Sequence, residues 1–154
     1  MRAHAELTTM TLDLAWVADA VDEAITPDDG AAIRRCILDY FEGWFDGDAA
    51  RMDRALHPGL AKHALNQGPT RSEGLDITTK AEMVEATSQG AGRLQDVPDR
   101  AIRIEITGVS GDIASVIVHS AVYVEYALLT RTGDGWRITS TLWHWATGHG
   151  PRAV

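Results

Sequence analysis

The chain has a single cysteine, Cys36, so no internal disulfide can form. Neither a neighbouring histidine nor a helix N-terminus activates that thiol, and it reads as a small core or flank residue rather than a nucleophile. Lysine is almost missing: Lys62 and Lys80 are the only two. With a net charge of −8, the chain lacks the concentrated basic surface that nucleic acid or an anionic membrane requires. The excess of acid is scattered, which bears on solubility more than on a partner. No apolar run approaches the roughly 20 residues of a membrane helix. No basic segment followed by an apolar one opens the sequence, so a cytoplasmic protein is the expectation. The patterns GxSxG, GxxxxGK and GxGxxG are absent, which removes a nucleophile elbow, an NTPase loop and a dinucleotide site. His57, His119, His144 and His149 show no HxxxH or HxH spacing, so no metal and no cofactor are expected.

What is present suits one ordinary domain. The 154 residues are 45% hydrophobic, too apolar for a disordered chain. The first 90 residues read as helix-rich and the last 50 as strand-rich, which is an α+β pattern. Leu14, Val17, Val21 and Ala24 recur at helical spacing and predict a short helix ending before Pro27. ITPDDG reads as a turn, with Asp28 or Asp29 capping the next helix. In that helix Ile33, Ile37, Tyr40, Phe41, Trp44 and Phe45 form one aromatic-rich stripe. Gly47 ends it, and Asp48 caps a second helix running to about Leu56. His57-Pro58-Gly59 breaks that helix, and a short strand is expected from Leu60 to about Leu65. NQGPTRSEG is a loop by composition. Thr79 and Glu82 predict a capping box on a third helix, stopped by Gly90.

The remainder reads as antiparallel sheet. Ile102, Ile104 and Ile106 alternate with Arg103, Glu105 and Thr107. Ser110-Gly111-Asp112 is a turn. The β-rich run from Asp112 to Arg131 would span about 66 Å at roughly 3.3 Å per residue, too long for one strand. It must reverse near His119 to Tyr123. Thr132-Gly133-Asp134-Gly135 is the next hairpin turn, and GWRITSTLWHW closes the sheet. The expected organisation is an N-terminal extension over residues 1–30, one domain over 31–146 and a tail over 147–154.

Four segments carry a family likeness: LDYFEGWFDGD, ALHPGLAKHAL, TKAEMVEAT and GDIASVIVHSAVYVEYALLTRTGDGWRI. In their order and spacing, from Ile33 to Trp145, the chain resembles the nuclear transport factor 2-like superfamily. Within it, the chain looks like the SnoaL-like and "putative lumazine-binding" branch. The resemblance implies a cone, or cystatin-like roll: three N-terminal helices packed on a curved, mainly antiparallel sheet, with a pocket at the open end. It also implies homodimers. The superfamily holds isomerases, cyclases, dehydratases, epoxide hydrolases and members without chemistry, so the fold alone sets no reaction.

Several residues are candidates for such a pocket. Tyr40 lies eight residues before Asp48, matching the oxyanion-hole tyrosine of the superfamily's ketosteroid isomerases. The position of their general-base aspartate falls on Ala64, which cannot take a proton, so that mechanism is not expected. His63 is the adjacent group, although neighbours on a strand face opposite ways unless a bulge intervenes. His144 is a further candidate base. Trp44, Trp143 and Tyr123 are candidate ligand-binding residues, since flat rings stack on flat ligands. Glu125, in the apolar run YVEYALL, is expected at an exposed edge. The leading expectation is a small-molecule-binding domain for a small apolar or aromatic ligand. One alternative is a cofactor-independent enzyme acting on a polyketide-like or other carbonyl substrate, with His63 or His144 as base and Tyr40 as oxyanion donor. Another is a non-catalytic dimerisation module. Apolar residues at consecutive positions in Ile113–Val118 and Tyr123–Leu129 want cover on both faces, which points to a homodimer through the sheet.

Overall fold

The computed structural model describes residues 25–65, 75–95 and 97–150. The expected N-terminal helix and the NQGPTRSEG loop lie outside them.

The first helix, α1, spans Pro27–Asp46. It starts earlier than the ITPDDG turn suggested, and its cap is Thr26, not Asp28 or Asp29. Thr26 Oγ1 accepts the Asp29 amide at 3.2 Å. Proline fits the first helical turn because that position has no intrahelical N–H bond to lose. At the other end Gly47 is left-handed, with φ 68°, and closes the helix onto the Gly43 and Trp44 carbonyls. Asp48 then caps α2, Ala49–Ala55, by accepting the Arg51 amide. The third helix, α3, is Lys80–Ser88 and carries the expected Thr79–Glu82 capping box. A 3-10 turn at Ala91–Gln95 follows, which the sequence pattern did not announce.

Among the described residues, six strands form one sheet in the order β2-β1-β6-β5-β4-β3. They are β1 Leu56–Leu65, β2 Leu75–Thr78, β3 Arg103–Ser110, β4 Ile113–His119, β5 Tyr123–Thr132 and β6 Gly135–Trp145. Among the described residues only β1 and β6 run parallel; every other neighbouring pair is antiparallel. The twenty-residue run does reverse, between His119 and Tyr123, where the Ser120 hydroxyl accepts the Val122 and Tyr123 amides. β1 begins at Leu56, directly after α2, so His57-Pro58-Gly59 does not separate helix from strand. Its effect is the register shift between Leu56 and Ala61 against β6, where Pro58 has no N–H for the ladder.

The sheet is curved, and α1, α2 and α3 pack on its inner face. Ile33, Ile37, Phe41 and Phe45 of α1 meet Val116 and Val118 of β4, Leu129 of β5 and Ile138 of β6 in one buried core. Burying each such side chain is worth about 1.5–3 kcal/mol. The β4–β5 register runs unbroken from Ile113↔Thr130 to His119↔Val124. That phase puts Tyr123, Glu125, Ala127 and Leu129 inward, all buried, and leaves Tyr126 and Leu128 outward and exposed. A register shift near Leu128 re-phases β6, so that Thr141, Trp143 and Trp145 stand opposite Ala127, Glu125 and Tyr123.

Candidate functional site

Between the helices and the wide end of the sheet lies a cavity of about 160 Å³. Its walls are mostly aromatic: Phe41 and Trp44 of α1, Tyr123 of β5, and Trp143 and Trp145 of β6. Met83 of α3, with Ala91 and Gln95 of the 3-10 turn, completes them. The rings hold one another in place. Tyr123 meets Trp143 edge-on at 5.4 Å, and Trp143 meets Trp145 edge-on at 5.2 Å. The Trp44 indole N–H donates to the Tyr123 hydroxyl at 3.1 Å, which satisfies the indole within the wall. Burial pushes the Tyr123 phenol above its ordinary pKa.

Three polar groups converge on this apolar space. Lys62 Nζ donates to Glu125 Oε1 and to the Tyr40 hydroxyl, at 2.6 Å each. The Tyr40 hydroxyl donates in turn to Glu125 Oε1 at 2.9 Å. Glu125 is only 3% exposed and Tyr40 only 4%. The Lys62 ammonium also faces the Trp143 ring, 5.2 Å from its centroid. Two hydrogen-bonding positions are left over. The third ammonium hydrogen of Lys62 and Glu125 Oε2 have no partner among the described residues.

Burial shapes the electrostatics. It pulls the Lys62 ammonium below the usual lysine range, against the opposing pull of Glu125. It pushes the Tyr40 phenol well above the usual tyrosine range, and the negative charge of Glu125 adds to that rise. A buried ion pair is held only where its geometry offsets the loss of water, which the shared contacts around Glu125 Oε1 do here.

Of the residues singled out in the sequence, Tyr40, Trp44, Tyr123 and Trp143 line the cavity together. His63 and His144 do not. β1 runs in register with β6 from Ala61↔Ser140 to Ala64↔Trp143, with no bulge at His63. Lys62 and Ala64 therefore face inward and His63 faces the outer side, where Nδ1 lies 3.1 Å from the Thr141 carbonyl oxygen. His144 is exposed on the outer side with Leu142, its Nδ1 2.8 Å from the Trp145 carbonyl oxygen. Neither reaches Tyr40. Glu125 corrects the exposed-edge expectation: it is buried, with Lys62 as its counter-ion. Lys62 itself was missed. Its signal was the phase of β1, because Leu60 is a core position and two residues further on the side chain returns to the same face.

Among the described residues no group of three or more His, Cys, Asp or Glu is placed to hold a metal ion. No described helix is long and apolar enough to cross a membrane.

A curved sheet wrapped on a long helix, with an aromatic cavity at its wide end, defines the class. The family model described as "Putative lumazine-binding" matches residues 28–144. The chain belongs to that family. No curated protein matches the chain. Among solved structures, a nuclear transport factor 2-like protein of unknown function from Silicibacter pomeroyi is similar, with 15% identity and a TM-score of 0.60. The alignment covers 77% of this chain and 97% of that one. A second such protein, from Shewanella baltica, has 14% identity and a TM-score of 0.61, over 79% of this chain and 96% of the other. A ketosteroid isomerase-like protein from Erwinia carotovora atroseptica has 17% identity and a TM-score of 0.51, over 79% and 99%. At these identities the likeness is one of fold.

Proposed function

We propose that this domain binds a small, flat, largely apolar molecule carrying a carbonyl group, in the cavity between α1 and the sheet. One observation carries the reading: the Tyr40–Lys62–Glu125 cluster is buried at a cavity otherwise lined by rings. A well-packed core would be expected to fill such a space. A pocket with apolar walls and a few convergent polar groups is the usual form of a small-molecule site. Its size sets the ligand. A cavity of roughly 150 Å³ takes a benzene-sized molecule, so one ring with a short substituent is the scale. The free Lys62 hydrogen would meet the carbonyl oxygen, and Trp143 or Phe41 would cover the ring.

The test uses benzamide, a flat carbonyl compound that does not condense with amines under mild conditions. It should produce a saturable change in tryptophan fluorescence, since Trp44, Trp143 and Trp145 all border the cavity. Ala91→Leu, which fills the cavity from the 3-10 turn, should abolish the change. An equal response in that variant, or none in either protein up to the solubility limit, overturns the reading.

The second reading, a cofactor-independent enzyme on a carbonyl substrate, is favoured by the desolvated Lys62 beside the Tyr40 hydroxyl. His63 and His144 have no part in it. The proposed setting is the cytoplasm. The proposed assembly is a homodimer through the outer sheet face, where Leu75, Ile77, Ile113, Tyr126, Leu128 and Leu142 are exposed.

A further inference from the structure

The two lysines of the chain differ in their surroundings. The Lys80 side chain, at the start of α3, is 21% exposed, with Nζ donating to the Leu56 carbonyl at 3.1 Å and paired with the exposed Asp53 at 3.3 Å. The Lys62 side chain is only 12% exposed and ends among the rings of Tyr40 and Trp143. The water its ammonium has lost is replaced by one carboxylate and one phenol. A proton passing along the 2.6 Å contact from Nζ to Glu125 Oε1 would discharge both groups without changing the net charge. Burial pulls the Lys62 ammonium below the usual lysine range, which favours its uncharged amine. The product of that transfer is a free amine facing an apolar cavity, with a carboxylic acid beside it. A desolvated lysine amine is the nucleophile of imine chemistry.

We propose that Lys62 condenses with a small aldehyde or ketone in the cavity to form an imine on Nζ. The proposal rests on the reading of this cavity as a ligand site. The Nζ lone pair attacks the carbonyl carbon, a C–N bond forms, and the π pair of the C=O moves to oxygen. That oxygen takes the proton Glu125 had received. Glu125 then accepts a second proton from the nitrogen of the carbinolamine and returns it to the hydroxyl as the C–O bond breaks. Water leaves. Of the three ammonium hydrogens two depart in the water and one stays on the iminium nitrogen, while Glu125 ends as the carboxylate it began. Neither an oxidant nor a reductant is needed. Tyr40 is a positioning residue: it accepts from Nζ and donates to Oε1, holding the two groups at transfer distance.

The experiment exposes the whole protein to acetylacetone, which condenses with a neutral amine to a vinylogous amide visible in the near ultraviolet. One adduct per chain is expected, mapped by peptide mass spectrometry to Lys62 and forming at least about tenfold faster than at Lys80, a barrier difference of about 1.4 kcal/mol. Lys62→Arg keeps the positive charge against Glu125 and should show no adduct. If that variant does not fold, the mapping on the unaltered chain decides by itself. Tyr40→Phe should slow the adduct while leaving its position on Lys62. Benzamide should slow it by occupying the cavity. Absence of an adduct, or labelling of Lys80 at the same rate, overturns the proposal. Saturable benzamide binding with no adduct removes the nucleophile and leaves the binding site standing.

Discussion

Tyr40 belongs at once to the packed core and to the polar cluster of the cavity. Its ring packs edge-on against Phe41 at 5.2 Å, and its hydroxyl joins a buried ion pair. Tyr40→Phe keeps the ring but takes one hydrogen bond from Glu125 and one acceptor from Lys62. Leaving charged groups short of a partner should cost about 1–3 kcal/mol, read as a lower midpoint in urea melts. The pH dependence has a definite sign. Tyr40 ionises near pH 10 in the unfolded chain but stays neutral to higher pH when folded, because burial raises its pKa. Above about pH 10 the folded state then binds more protons than the unfolded state, and stability falls as pH rises. Tyr40→Phe should flatten that alkaline fall, and an unchanged slope would count against the buried placement of the phenol. The aromatic half of this site was legible in the sequence, because Tyr40, Trp44, Tyr123 and Trp143 carry their own signal as rings at the right periods. The charged half was not. Lys62 and Glu125 are 63 residues apart, and Glu125 lies in a strand apolar on both faces, where alternation does not reveal which face is inside.

At the scale of elements, several caps were readable because each is set by local chemistry, although the cap of α1 fell on Thr26 and not on Asp28 or Asp29. Gly47 stands where its left-handed backbone is needed, and Asp48 and the Thr79–Glu82 box where their side chains can accept backbone N–H groups. The start of β1 and the whole of β2 were not read. Proline and glycine in β1 mark a register shift there and a helix break elsewhere, and only the pairing with β6 distinguishes the two. The angle between α1 and α2 rests on contacts equally invisible to pattern. Arg51 donates to Asp39 at 2.9 Å and to Glu42 at 2.6 Å, and Arg54 donates to both Asp39 oxygens. Burial alone would raise the Asp39 carboxyl, but the hydrogen bonds from Arg54 and Arg51 outweigh it and hold the group below the usual range. A lowered carboxylate pKa stabilises the fold above the unfolded value, near pH 4, and that contribution is lost as pH falls through the folded value. Asp39→Asn should therefore lower stability near neutrality by at most about 1 kcal/mol, because Arg54 is half exposed. The difference between the two proteins should shrink as pH falls below the unfolded value and through the lowered folded one. A gap that persists undiminished in acid would show that the aspartate acts by packing and not by charge.

Over the whole molecule, one sheet serves two surfaces of different character. Its inner face holds the core and opens into the cavity beside Lys62, Tyr123, Trp143 and Trp145. Its outer face carries Tyr126 at 55% exposure, Leu128 at 50% and Leu142 at 45%, around a shallow hollow that also takes in His63 and Thr107. Alternation in β5 explains why both surfaces were foreseeable in kind. Consecutive apolar residues must send half their number outward, and an apolar outer face on an open sheet wants cover. A second copy of the same face is the simplest cover, because a two-fold interface needs only a self-complementary patch. A stable interface of this kind buries more than about 1,000 Å² in total, which a six-stranded face can supply. Light scattering at micromolar concentration should accordingly give twice the chain mass. Leu142→Glu places a carboxylate in the middle of the patch, on the side of β6 opposite Trp143 and the cavity. It should return the protein to the monomer mass, while acetylacetone still labels Lys62 on the inner face. A monomer in the unaltered protein would sink the proposed dimer. If the variant were monomeric and also lost its labelling, the two faces would be coupled through β6, and the cavity would depend on the partner for its shape.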